Sequence, residues 1–121
     1  MKIMLKLRPG IQIYVSMAAI DMRKSIDSLS ALVSQEFNDD PQSGHLFIFF
    51  NRCRDKTKII YRDRNGYVLH YKRMEKNRFV VPSLTGRTQL IITETQLNGL
   101  LAGLNFEIMG DFSEIDYDKI F

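Results

Sequence analysis

The sequence predicts an α+β domain: an antiparallel β-meander of about five strands, with one long helix in the N-terminal half and a short helix near the C-terminal end. Three observations carry that expectation. Apolar residues recur at helical spacing early in the chain, at Ile26, Leu29, Val33 and Phe37, with Leu32 widening the stripe. From His45 onward the period falls to two, or to short apolar runs separated by turn residues, which is how strands read. Late in the chain, Thr93 with Gln96 three residues on forms a capping box ahead of Leu97, Leu100, Leu101 and Leu104.

Taken in order, "IQIYV" at 11–15 reads as a short strand after the Pro9-Gly10 turn. The long helix follows in "DMRKSIDSLSALVSQEF", with Asp21 as its N-cap and the "NDDPQSG" cluster as its stop. "HLFIFF" lacks polar alternation, which suits a central strand covered on both faces. "TKIIYR", "YVLHYKR", "RFVV" and "TQLIIT" continue the meander, with turns at 51–56, 63–66 and 75–77. The short second helix ends near Gly103. Residues 1–104 are expected to form a single domain, and 105–121 an acidic, loosely docked tail with five acids against Lys119.

The totals restrict the function. With 121 residues and 45% hydrophobic content, the chain can bury a core without staples. No run of 18 or more apolar residues spans a bilayer, and "MKIMLKLRPG" lacks the apolar stretch of a signal peptide, so a cytoplasmic protein without membrane contact is expected. The one cysteine, Cys53, cannot form an internal disulfide and agrees with a reducing compartment. A net charge of +3 conceals an asymmetry: residues 51–88 hold 11 Lys or Arg against three acids, a local +8 that leaves −5 on the rest. Nucleic acid is a natural recipient of such a field, although lysines and arginines also keep sheet edges soluble.

The hairpin "TKIIYRDRNGYVLHYKR" refines this. A two-residue Asn65-Gly66 turn would mix apolar and charged residues on both faces, whereas a three-residue loop with Gly66 in a left-handed bulge pairs Ile59 with Tyr71 and Tyr61 with Leu69. That register predicts one apolar face of Ile59, Tyr61, Leu69 and Tyr71, continued by Phe79 and Val81 and packed on Leu29, Val33 and Phe37. Its other face sets Lys58 opposite Lys72, beside Arg62 and His70. Facing like charges cost a few tenths to about 1 kcal/mol, a cost that a bridging phosphate or carboxylate would reverse.

Motifs for catalysis are missing: the chain contains no phosphate-cradling glycine loop, no hydrolase elbow and no metal-spaced His or Cys cluster. His45 and His70 read as satisfied strand histidines. Cys53 reads as an incidental exposed thiol. Asp21, Arg23, Lys24 and Asp27 crowd the start of the helix, with Arg23 and Asp27 four apart on one face. A salt-bridged helix start explains them better than a metal site, which would need a third ligand. No cofactor is expected.

In combination, Asp21-Met22-Arg23-Lys24 with Asp27, Ser43-Gly44-His45-Leu46-Phe47, Arg52 with Asp55-Lys56, Asp63 with Asn65-Gly66, and Tyr71-Lys72-Arg73 with Glu75-Lys76 and Arg78-Phe79 are recognisable. Over residues 8–104 the chain resembles the small TnpB-type accessory proteins, products of the second open reading frame in insertion sequences of the sixty-six class. The resemblance implies a non-catalytic helper of DNA transposition, acting beside a separate, element-encoded transposase. It transfers no active site. The family's frequent tryptophans are replaced by Ile60, Tyr61, Arg62 and Val81, and Asn77 stands where glycine is usual.

Two readings follow. In the first, DNA is bound with low sequence specificity by Arg23, Lys24, Arg52, Arg54, Lys56, Lys58, Arg62, His70, Lys72, Arg73 and Arg78. In the second, the same face is an adaptor for an acidic transposase surface without DNA contact. Phosphate contact favours the first, because it matches a sequence-independent helper role. A nuclease built on Asp21 and Asp27 is a third, weaker reading.

Overall fold

The computed structural model describes residues 9–37, 39–81 and 89–104; the acidic tail and Arg87 lie outside them. The elements are β1 (Ile13–Ser16), α1 (Ile26–Glu36), β2 (Leu46–Phe50), β3 (Lys56–Asp63), β4 (Gly66–Arg73), β5 (Gln89–Ile92) and α2 (Glu94–Leu101). The α+β class stands, with five strands and two helices, but the sheet is mixed rather than an antiparallel meander. Its order is β4-β3-β2-β1-β5. Only β2, β3 and β4 meander. β1 runs parallel to β2, and β5 pairs antiparallel with β1 on the far edge.

The parallel pair follows from what lies between its strands. A tight turn can only return a strand antiparallel, whereas a helical crossover such as α1 returns it parallel. The "RFVV" segment is not a strand. Its backbone runs back to the β2–β3 turn, where Phe79 N–H donates to the Arg54 carbonyl (2.7 Å) and Met74 N–H to that of Asp55 (2.7 Å). Phe79 is nevertheless buried, against Phe50 at 5.4 Å between ring centroids. Asn77 takes the left-handed conformation expected of it, with φ 66°.

β2 is buried along its whole length, as its unbroken apolar run requires. Strand alternation then divides the core into two layers. On one face, Phe47, Phe49 and Ile60 receive Leu29, Val33 and Phe37 of α1. On the other, Leu46, Ile48, Phe50, Ile59 and Tyr61 receive Leu97, Leu100 and Leu101 of α2. The expected single face is thereby split. Ile59, Tyr61 and Phe79 lie on the α2 side, while Leu69 packs on the α1 side and Tyr71 is 50% exposed.

The cause is a hairpin register that neither expected turn produces. Asp63 pairs with Gly66 around a two-residue Arg64-Asn65 loop, and Arg64, not Gly66, carries the positive φ, 47°. Ile60 therefore faces Leu69, Lys58 faces Tyr71 and Thr57 faces Lys72. Lys58 and Lys72 project from opposite faces of the sheet, so the predicted like-charge pair between them does not exist.

α1 begins four residues later than its sequence suggests, with Ser25 rather than Asp21 at the N-cap. α2 keeps its capping box: Gln96 N–H donates to Thr93 Oγ1 (3.1 Å) and Thr93 N–H to Gln96 Oε1 (2.9 Å). Among the described residues, no helix is long and apolar enough to cross a membrane.

Candidate functional site

Beyond the carboxyl ends of the parallel strands β1 and β2, three segments that are distant in sequence meet. Ile20 N–H donates to the Phe50 carbonyl (2.9 Å), which draws the 20–24 segment onto the end of β2. There it faces the β2–β3 turn and the end of β4. Together they enclose an open groove of about 480 Å³, with Ile20, Asp21, Met22 and Arg23 on one side and Asn51, Arg52, Cys53, Lys56 and Tyr71 on the other. The carboxyl end of a parallel pair is where open α/β sheets place their ligands.

Each wall is fixed by its own hydrogen bonds. Asp21 receives Arg23 N–H (2.9 Å) and the Arg23 guanidinium, whose Nη2 lies 2.6 Å from Oδ2. Those bonds, side chain first and backbone second, hold the Asp21 carboxyl well below its ordinary range, at about 2. The pair closes a local turn, with Lys24 N–H on the Asp21 carbonyl (3.1 Å), rather than bridging to Asp27 along a helix. With both oxygens on Arg23, Asp21 is poorly placed to ligate a metal. Across the groove, Asn51 Nδ2 donates to Asp55 (2.6 Å) while its Oδ1 accepts from Lys56 N–H (3.0 Å), so Asn51 is spent on shaping the turn. That bond from Asn51 is also the main reason the Asp55 carboxyl is held below its ordinary range.

Most of the cationic side chains singled out in the sequence sort into two groups. Arg23, Arg52 and Lys56 line the groove, and Arg73 lies directly opposite Lys56 on the same sheet face. Facing like charges do occur in the hairpin, but as a different pair, Lys56 and Arg73, and not at 58 and 72 as expected. Among the described residues the only ion pair is Asp21–Arg23, so no acid there lies within ion-pair distance of Lys56 or Arg73, although the Lys56 charge is felt by Asp55.

The second group is occupied within the fold. Lys58 Nζ donates to the carbonyls of Met22 and Lys24 (2.7 Å each), clamping the 21–24 turn to the sheet. Lys72 Nζ donates to the Leu101 carbonyl (2.7 Å) and so caps the end of α2 on the opposite face. Arg62 stacks over Tyr67 at 5.3 Å, and His70 lies against Tyr61, with Nε2 at 3.4 Å from the phenol oxygen. Three of the predicted cations fall in neither group: Arg54 holds Phe79 through its backbone carbonyl alone, Arg78 is exposed beyond it, and Lys24 lies in the 21–24 turn. His45 accepts Gln12 N–H on Nδ1 (2.9 Å), a partner 33 residues away, and it precedes β2 instead of lying in the expected strand.

Tyr71 is the groove residue that the sequence reading misplaced, since the shifted register turned a predicted core residue outward. No local signal marked it, because the left-handed position of the Arg64-Asn65 loop falls on Arg64, a residue type that turn chemistry does not favour there, and not on Asn65 or Gly66.

The family model described as "IS66 Orf2 like protein" matches residues 11–110. Two proteins of Sinorhizobium fredii, bearing the names "Uncharacterized protein y4hO" and "Uncharacterized protein y4jC", are similar over 97 residues at 32% and 30% identity. The alignments cover 80% of this chain and 84% and 82% of the relatives. No solved structure matches.

Proposed function

The chain belongs to the IS66 Orf2-like family of insertion-sequence accessory proteins, and from that premise we propose that it assists transposition by holding the nucleic-acid backbone at the groove, without catalysis of its own. The observation that carries this reading is the facing pair Lys56 and Arg73, of which Lys56 lines the groove together with Arg52 and Arg23. Opposed like charges in a sheet ladder destabilise it slightly. A phosphate between them reverses the sign, and charge-assisted hydrogen bonds to guanidinium and ammonium are the strong ones. The contacts are to phosphate, which positions a protein on nucleic acid without reading sequence.

Lys58, Lys72, Arg62 and His70 are left out of the proposed contact surface, since each already has a partner in the fold. Asp21 stays ionised but neutralised by Arg23, so it does not repel a phosphate.

The test is the salt dependence of duplex DNA binding by the wild type and by the triple variant Arg52→Gln, Lys56→Gln, Arg73→Gln. The slope of log affinity against log salt should flatten by about 0.9 for each phosphate that the variant no longer neutralises, equally on unrelated sequences. The adaptor reading makes a different forecast. If transposase is captured from cells carrying the element after nuclease treatment, and the triple variant fails to capture it while its DNA affinity is unchanged, the groove binds protein.

A further inference from the structure

Resting on the nucleic-acid reading of the groove, we propose that its ligand is an unpaired nucleotide, with the base stacked on the Tyr71 ring and the adjoining phosphate held by Arg52, Lys56 and Arg73. Phosphate binding alone does not account for Tyr71. Its neighbours Ile60 and Leu69 on the same face pack against the α1 layer, yet Tyr71 lies half exposed at 50% and lines the groove. It is also the one aromatic among the exposed large apolar side chains of the described residues, and it sits between cations.

The ring is held ready from one side. The Lys58 ammonium lies 5.6 Å from its centroid and is itself fixed by the Met22 and Lys24 carbonyls. Tyr71 lines the groove, whereas Lys58 is not among its lining residues. A cation on one side of a ring draws on its electron density and favours an aromatic partner on the other. The groove, at about 480 Å³, falls in the range of roughly 300–1,000 Å³ usual for small-ligand sites.

Pairing status decides the ligand class. In a duplex both faces of every internal base are covered by neighbouring pairs, so a tyrosine lying on a sheet can take a base only when that base is unstacked. Aromatic platforms flanked by cations are how proteins hold single strands, and they tolerate every base because each presents a π-face. Arg52 in the β2–β3 turn and the Lys56–Arg73 pair next to it on the sheet then hold the sugar-phosphate at the turn end of the ladder, beside Tyr71.

The experiment measures binding of the full chain to a fluorescent DNA strand of about 12 nucleotides, to its duplex and to the same strand as RNA. The proteins are wild type, Tyr71→Phe, Tyr71→Leu and the Arg52, Lys56, Arg73 triple variant, each checked for an unchanged melting midpoint. Tyr71→Leu should weaken single-strand binding about tenfold while changing duplex binding by less than about twofold, and Tyr71→Phe should keep wild-type affinity. The RNA arm identifies which single strand is preferred. Equal effects of Tyr71→Leu on strand and duplex, or none on either, overturn the stacking proposal; if the triple variant still weakens both, phosphate binding survives it. Wild type that binds neither strand nor duplex overturns both.

Discussion

A lysine rooted in a packed sheet must bring its ammonium to water or to acceptors, and the two on the β3–β4 hairpin use backbone carbonyls. Lys58 joins the 21–24 turn to the sheet, and Lys72 ends α2. Hydrogen bonds to charged groups contribute about 1.5–3 kcal/mol, and a cation at a helix C-terminus adds about 0.3–1. Lys58→Met should therefore destabilise by about 2 kcal/mol and Lys72→Met by about 1–2, read from urea unfolding midpoints. The two side chains share no partner, so the double variant should be destabilised by the sum to within about 0.5 kcal/mol. A double variant as stable as the wild type, or more so, would count against these clamps and revive a facing-lysine hairpin.

At the level of elements, α2 shows a local signal carried through intact. Its reciprocal Thr93–Gln96 cap satisfies donors that the helix start would leave orphaned, and the helix then buries Leu97, Leu100 and Leu101. Thr93→Ala should lower stability by about 1 kcal/mol in the same assay, whereas Thr93→Ser should be close to neutral. Where information was local, the sequence was legible: the cap of α2, the apolar stripe of α1, the buried β2 and the left-handed Asn77 are all read from neighbouring residues. Pairing was less so. "IQIYV" could be recognised as a strand, but its place beside β2 depends on the α1 crossover, and β5 reaches it from the far end of the chain. The hairpin failed on a single residue. With period-two alternation, a one-residue slip exchanges the faces, so Tyr71 moved from the core to the groove, and the cations that face each other are 56 and 73 and not 58 and 72. The groove itself was legible only as fragments, because the 20–24, 51–56 and 71–73 segments become neighbours through tertiary structure alone.

For the whole molecule, the relevant quantity is how charge is divided along the chain. Residues 51–88 carry +8, while residues 105–121 carry five acids and one lysine, or −4. A variant ending at Leu104 therefore rises from +3 to +7 without altering any residue of the groove. Charges of that kind act on association through the summed field and are screened over about 10 Å at 0.1 M salt and about 3 Å at 1 M. The shortened chain should accordingly associate with DNA faster and bind more tightly at low salt. Its advantage should shrink steadily as salt is raised, and its dissociation rate should change much less than its association rate. The Tyr71→Leu effect on single strands should be the same in both lengths, since a base stack does not depend on the summed charge of the chain. Stopped-flow association across a salt series would check this. Identical association rates for the two lengths at low salt would mean that the acidic segment's charge is not felt at the groove, and a difference that persisted at 1 M salt would require direct contact rather than a field.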